Sequence, residues 1–202
     1  MSPIIAGIAA FLSVAAFVFY VIAASGYSKD YKVLKGCPWF FYGDTDYKVY
    51  FGLKGYVHDV SINRHFVYYG SLDDDYYYDN INDKCDSPGL SAFALTLVAC
   101  ILSFITIITN GAGGVSEETV VKAVSAVLSI IASLFGMIAV GVFMTSCYKK
   151  YHDLLEDDSD KLHYGNGSIL ALTALFCNFL AFILATVNIA AGGSTTPLAD
   201  HK

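Results

Sequence analysis

Five cysteines, five histidines and the acidic run DDDYYYDNINDKC at residues 73–85 are the groups in this chain with chemistry to offer. The histidines (His58, His65, His152, His163 and His201) show no metal-ligand spacing, and the closest pair, His58 and His65, is seven residues apart. Asp73, Asp74, Asp75 and Asp79 form an acidic cluster. A helix–loop–helix calcium loop needs a central Gly and a terminal Glu, and this stretch has neither. No HExxH, GxSxG, CxxC or phosphate-binding loop occurs. The chain therefore reads as non-enzymatic, with no catalytic residue, cofactor or metal assigned. Its net charge of −6 and the lack of a clustered basic face exclude a nucleic-acid partner.

Two of the cysteines have a reading of their own. Cys100, Cys147 and Cys177 fall within or at the ends of apolar runs and read as packing thiols. Cys37 and Cys85 bracket a polar segment, and a disulfide between them would tie that segment to itself near its ends. Such a bond needs an oxidising side; two free thiols are the alternative.

The elements that must position these groups are dominated by four apolar runs, at residues 3–25, 90–109, 120–147 and 168–191. Each reaches the roughly 20 residues a helix needs to cross a bilayer, and the only charge in any of them is Lys122. The chain is 15% charged, against about 25% for soluble domains, so the bilayer is the first partner. The opening run ends in VIAAS, which has the small residues of a signal-cleavage site. It has no preceding Lys or Arg and is longer than the roughly 7–15 residues of a signal-peptide core, so a retained span is expected. NGAGGVSEE (residues 110–118) is read as breaking the second helix at its glycines. Ser116 then caps the third, with Glu117 and Glu118 in its first turn.

Residues 26–89 form a long polar loop that reads as sheet. TDYKVYF alternates, LKGYVHDV and RHFVYY are β-rich, and YYYDNI follows a turn as a further strand. Eleven of the fifteen tyrosines lie between Tyr27 and Tyr78. Residues 148–167 form a second, medium loop that extends the third helix and turns at the glycines before the fourth, and 192–202 are a tail. The expected architecture is a single all-α four-helix membrane bundle with a small antiparallel β-sheet formed by the long first loop.

Within the bundle, Ser125, Ser129, Ser133 and Gly141 recur in steps of four, interrupted by Met137, and small residues in such a stripe let helices approach. The stripe serves either the bundle's own core or a partner helix. Asn178 and Asn188 are expected to hydrogen-bond between helices. The sequon at Asn166–Ser168 abuts the fourth helix, too close to the membrane to be used.

One span, a β-rich loop, then three spans with a medium loop before the last resembles the claudin and peripheral-myelin-protein superfamily of tetraspan proteins. That group carries a Trp early in the first loop followed by Gly-Leu-Trp. Here Trp39 is the early Trp and Gly52-Leu53 the start of the motif, while Lys54 stands in place of the second Trp. The resemblance implies cytoplasmic termini, both larger loops outside, and a plasma-membrane protein of cell junctions and adhesion. The lysines argue the other way: nine Lys and one Arg in the two loops would place them inside. We weigh the cysteine pair above this count.

On that reading the sheet mediates membrane organisation, adhesion or assembly, with copies of itself or with other membrane proteins. The candidate contacts are the aromatics Trp39, Phe40, Phe41, Tyr68, Tyr69, Tyr76, Tyr77 and Tyr78, since aromatics are enriched at interface cores. The same side chains would serve equally as the inner face of the sheet. The alternative function is an accessory or pore-forming channel subunit whose acids draw in cations.

Overall fold

The computed structural model describes residues 3–43, 47–60, 63–69, 79–115, 119–155 and 161–193. Its helices are α1 (Pro3–Ala24), α2 (Tyr31–Gly36), α3 (Asp79–Val115), α4 (Thr119–Phe143), α5 (Lys149–Leu154) and α6 (Asn166–Gly193). The strands are β1 (Phe40–Gly43), β2 (Tyr47–Phe51), β3 (Gly55–Val60), β4 (Asn63–Tyr68) and β5 (Leu162–Tyr164). A wide helical turn, Met144–Tyr148, joins α4 to α5.

Four helices, α1, α3, α4 and α6, are long and apolar enough to cross a membrane. Each packs on two neighbours in the cyclic order α1–α3–α4–α6. The bundle is built small side inward. Ala9, Ala16, Ala99, Ala132, Ala139, Ala174 and Ala181 are buried, while Phe11, Ile101, Val120 and Phe176 are exposed. A soluble bundle would do the reverse, whereas helices in lipid gain from close backbone approach and lose nothing by exposing Leu, Ile or Phe.

Of the two uses open to the serine stripe, Ser125, Ser129 and Ser133 are buried in the bundle's own core, while Gly141 points outward with open space beside it. Four-residue steps advance 400°, so each drifts about 40° round the helix. By Gly141 the stripe has turned roughly 160° away from Ser125. The buried line follows the helical period instead, through Ala132, Gly136, Ala139 and Phe143. At Gly136 an added Cβ would collide with the Tyr20 hydroxyl of α1.

Helix α3 differs most from the sequence expectation. It begins at Asp79, not at 90, and runs through the glycines at 111, 113 and 114 to Val115. Pro88 lies inside it, and the segment read as a fourth loop strand is, from Asp79 on, its first turn. Asp79 is in that turn; Asp73, Asp74, Asp75 and Tyr76–Tyr78 lie outside the described residues, as do Ser116, Glu117 and Glu118. Asn110 explains why the glycines do not end the helix. Its Nδ2 donates to Ser13 Oγ (3.1 Å) and its Oδ1 accepts from Ser125 Oγ, fixing the last turns between α1 and α4.

The sheet is antiparallel with strand order β4-β3-β2-β1-β5. Four strands come from the first loop and the fifth from the second, so the sheet is not the product of the long loop alone. β5 is three residues long, too short to carry an alternating signature. It pairs Phe40 with Tyr164 and Tyr42 with Leu162. One face of the sheet, with Phe40, Val49, Phe51, Tyr56, Val67 and Leu162, packs on the ends of α4 and α5 through Phe143, Cys147 and Tyr151.

Candidate functional site

Trp39, Gly52 and Leu53 meet where the sheet joins the bundle. Trp39 is fully buried, donates from Nε1 to the Ala23 carbonyl at the end of α1 (2.9 Å), and sets its ring edge-on to Phe143 of α4 (5.2 Å). Its backbone N–H donates to Phe51 O, and its carbonyl accepts from Gly165 N at the start of α6. The indole fits only because two glycines flank it. A Cβ on Gly26 would come within 2.6 Å of Cδ1, and one on Gly167 within 2.8 Å. Leu53 N donates to Gly26 O (2.8 Å), and a Cβ on Gly52 would strike that same carbonyl and the Leu34 side chain. Trp39, Gly52 and Leu53 therefore join sheet to bundle; Trp39 is not an exposed contact.

The other candidate contacts divide. Phe40 is buried and stacks on Phe51 at 4.3 Å. Tyr69 is buried, donates to Gly52 O (3.0 Å), and burial holds its phenol well above the usual tyrosine range. These two are core, because strand alternation turns Phe40 inward and Tyr69 follows β4 back under the sheet. Phe41 and Tyr68 remain at the surface: Phe41 is half-buried beside His163 of β5, and Tyr68 is exposed with the Lys54 ammonium 5.4 Å over its ring.

The face of the sheet away from the bundle is partly covered by α2. Asp30 caps this helix, accepting from Lys32 N at 2.8 Å. Tyr31 donates to Asp59 Oδ2 (2.6 Å), while Lys35 Nζ reaches both Tyr31 Oη (2.9 Å) and Asp59 Oδ2 (3.2 Å). These bonds, first that to Tyr31 and then that to Asp59, raise the Lys35 ammonium above its ordinary range. Beneath α2, Tyr50 and Val57 are buried. Beside it Lys35, Pro38, Phe41, Lys48, Tyr50 and Asn166 enclose a recess of about 120 Å³. Two lysines and two aromatic rings around a shallow hollow suit an acidic or aromatic side chain of a partner.

The cysteine pairing differs from the expected one. Cys85 is bonded to Cys147, with Cα atoms 5.3 Å apart, and Cys37 is a buried thiol. Cys85 does not end a strand: it sits in the early turns of α3, against the wide turn that ends α4. Cys37 ends α2, where its S–H donates to Ile22 O (3.5 Å) and burial raises its thiol above the ordinary range.

Register pairs His58 with His65 across β3 and β4, which the seven-residue spacing encodes as a hairpin. His58 Nδ1 is bonded to Tyr47 Oη (2.8 Å). Among the described residues no three His, Cys, Asp or Glu side chains come together as a metal site. In the bundle, Asn178 Nδ2 donates to Ser103 Oγ (2.9 Å), the expected interhelical bond. Asn188 is buried beside Asn110 and Lys122 around a cavity of about 10 Å³. Asn166 Nδ2 of the sequon is engaged by Gly36 O (3.1 Å). Asn110, Cys147 and β5 are the participants passed over in the sequence: Asn110 reads as part of the glycine link, Cys147 as a packing thiol, and β5 is too short to alternate. In comparisons with known proteins, no family model matches this chain and no curated protein gives a significant match.

Proposed function

We propose that this chain is a non-enzymatic, claudin-like tetraspan protein of the plasma membrane, and that its sheet makes adhesive or assembly contacts. The membrane part rests on four long apolar helices packed small side inward. The observation that carries the contact function is the sheet itself. Both loops build it, Trp39 fastens it to the bundle, the Cys85–Cys147 bond ties together the helix ends beneath it, and its outer face offers the Phe41–Lys48 recess beside α2. The partners are further copies of the chain or other membrane proteins.

The test is clustering of vesicles that carry the full chain. Wild type is expected to cluster them, and Phe41→Ala and Lys48→Glu to lower the association by more than about tenfold, the size of an interface hot spot. Unchanged clustering in both variants, or none in wild type, refutes the reading. The channel reading rests on the acids Asp73, Asp74 and Asp75, which lie outside the described residues; within the bundle, the polar group of Asn110, Lys122 and Asn188 surrounds a cavity of about 10 Å³, room for about one water. That size favours packing over conduction through a single bundle.

A further inference from the structure

A groove of about 380 Å³ lies where α1 ends, α2 crosses and α6 begins, within the usual size of a ligand pocket. Its walls are Ile22, Val33, Ile169 and Leu170, with Lys32 and Asn166 at the polar end. Asn166 Nδ2 bonds Gly36 O and closes the groove toward the sheet. Away from the sheet it runs onto the outer faces of α1 and α6, where Val18, Val21, Leu172 and Phe176 are exposed.

The charge on the rim is single. Lys35, one turn along α2, is taken by Tyr31 and Asp59. The Lys32 ammonium has no hydrogen-bond or ion-pair partner among the described residues. Asp30, the nearest acid in sequence, turns its carboxylate onto the Lys32 backbone N–H. An apolar trough, continuous with a lipid-facing surface and headed by one uncommitted cation, is complementary to an acidic lipid. The chain would lie along the trough and the phosphate against the ammonium.

We propose that this groove binds one anionic phospholipid of the surrounding bilayer, with an acyl chain between α1 and α6 and the phosphate on Lys32. The proposal rests on the membrane reading above but not on the adhesive one. Gly36 provides a selective probe. It lines the groove, its backbone is not in the left-handed region, and an added Cβ would meet nothing within 4 Å. Gly36→Leu therefore adds bulk at the groove lining without a clash at its Cβ.

The full chain is reconstituted into phosphatidylcholine vesicles containing a minority of phosphatidylglycerol, extracted, and weighed with its retained lipid by native mass spectrometry. Wild type is expected to retain one phosphatidylglycerol in preference to phosphatidylcholine. Lys32→Gln should reduce that preference about fivefold, the effect of one lysine near an acidic surface, while Gly36→Leu should abolish retention of either lipid. Unfolding in lipid-free detergent should stay unchanged in both variants, which separates lost lipid from lost fold. Equal retention in all three proteins, or no retention by an inserted wild type, overturns the groove proposal alone. A chain that does not enter vesicles at all overturns the membrane reading with it.

Discussion

Replacing Cys147 by Ser tests the core of the sheet–bundle junction. The bond to Cys85 spans a sequence separation of 62, and loop-closure entropy for that length gives about 4 kcal/mol. This is a ceiling. If the unfolded chain stays in the membrane, α3 and α4 remain helical and, being consecutive, remain near one another, so the bond removes less freedom than in a soluble coil. The expected loss is about 2–4 kcal/mol, read by unfolding in detergent under non-reducing conditions. Cys85→Ser, Cys147→Ser and the double variant should lose the same amount, because one bond is removed in each. Reduction should change the gel mobility of wild type and of Cys37→Ser, and leave the other three unchanged. If Cys37→Ser abolishes the mobility change while Cys147→Ser keeps it, Cys37 is the partner of Cys85 and the derived geometry is wrong. If the double variant loses twice the single, the two cysteines are not bonded to each other.

Three further outcomes follow from close contacts and burial. Gly26→Ala should destabilise by about 1–3 kcal/mol through overpacking against the indole, and Trp39→Phe should recover part of that loss in a double-mutant unfolding cycle; additive losses would refute the contact. Gly136→Ala should destabilise by a similar amount and be partly relieved by Tyr20→Phe, whereas Gly141→Ala should be neutral or gain up to about 1 kcal/mol of helix propensity. Equal unfolding midpoints for Gly136→Ala and Gly141→Ala would sink the helix-face argument. Tyr69, its phenol raised by burial, contributes stability that is complete below the unfolded-state value of about 10 and is lost as pH climbs from there toward the folded value. Unfolding midpoints against pH should fall less steeply above pH 10 in Tyr69→Phe than in wild type, and parallel curves would contradict this.

The parts of the fold that were legible are those where one physical requirement governs a long run of residues. The first and fourth apolar runs, 3–25 and 168–191, match α1 (Pro3–Ala24) and α6 (Asn166–Gly193) nearly end to end. The small-residue stripe on α4 marked Ser125, Ser129 and Ser133 for close approach but left open whether to the bundle or to a partner helix, and it did not foresee the drift that turns Gly141 outward. The misreadings came where composition and conformation part company. Residues 79–89 look like a loop because they are polar and contain Pro88 and Gly89, but a helix that projects beyond the apolar region need not be oily. Gly89 is there for the neighbouring loop: an added Cβ would strike the Leu53 carbonyl. With Cys85 moved from a strand end to a helix face, its partner had to change as well. The aromatics were the hardest to assign. Phe40 and Phe41 are adjacent and chemically alike, and only the strand's pleat, which sequence leaves open to either phase, puts one in the core and the other beside the recess.

The change of disulfide partner bears on which side of a membrane the sheet would occupy. Positive residues in the two loops argue for the cytoplasm, and a bond between Cys37 and Cys85 was the counterweight. That pair is replaced by Cys85–Cys147. Cys85 lies at the sheet end of α3 and Cys147 where α4 meets the sheet core, so the bond still belongs to the sheet's side and still requires an oxidising one. Two of the nine loop lysines are drawn into the fold. The rule describes charges held near the membrane by the cytoplasmic side, counted over short loops. Lys35 instead works within the fold, holding α2 over Tyr50 and Val57 through Asp59 and Tyr31. Lys54 sits over the rings of Tyr27 and Tyr68. Charges recruited by a folded domain report on that domain's packing, whereas Lys32, without a partner among the described residues, still counts toward the rule; the Cys85–Cys147 bond, at the sheet ends of α3 and α4, is the opposing observation. Labelling the sheet's lysines on intact cells decides it: protection of Lys48 and Lys54 from a membrane-impermeant amine reagent would place the sheet inside and overturn the adhesive reading.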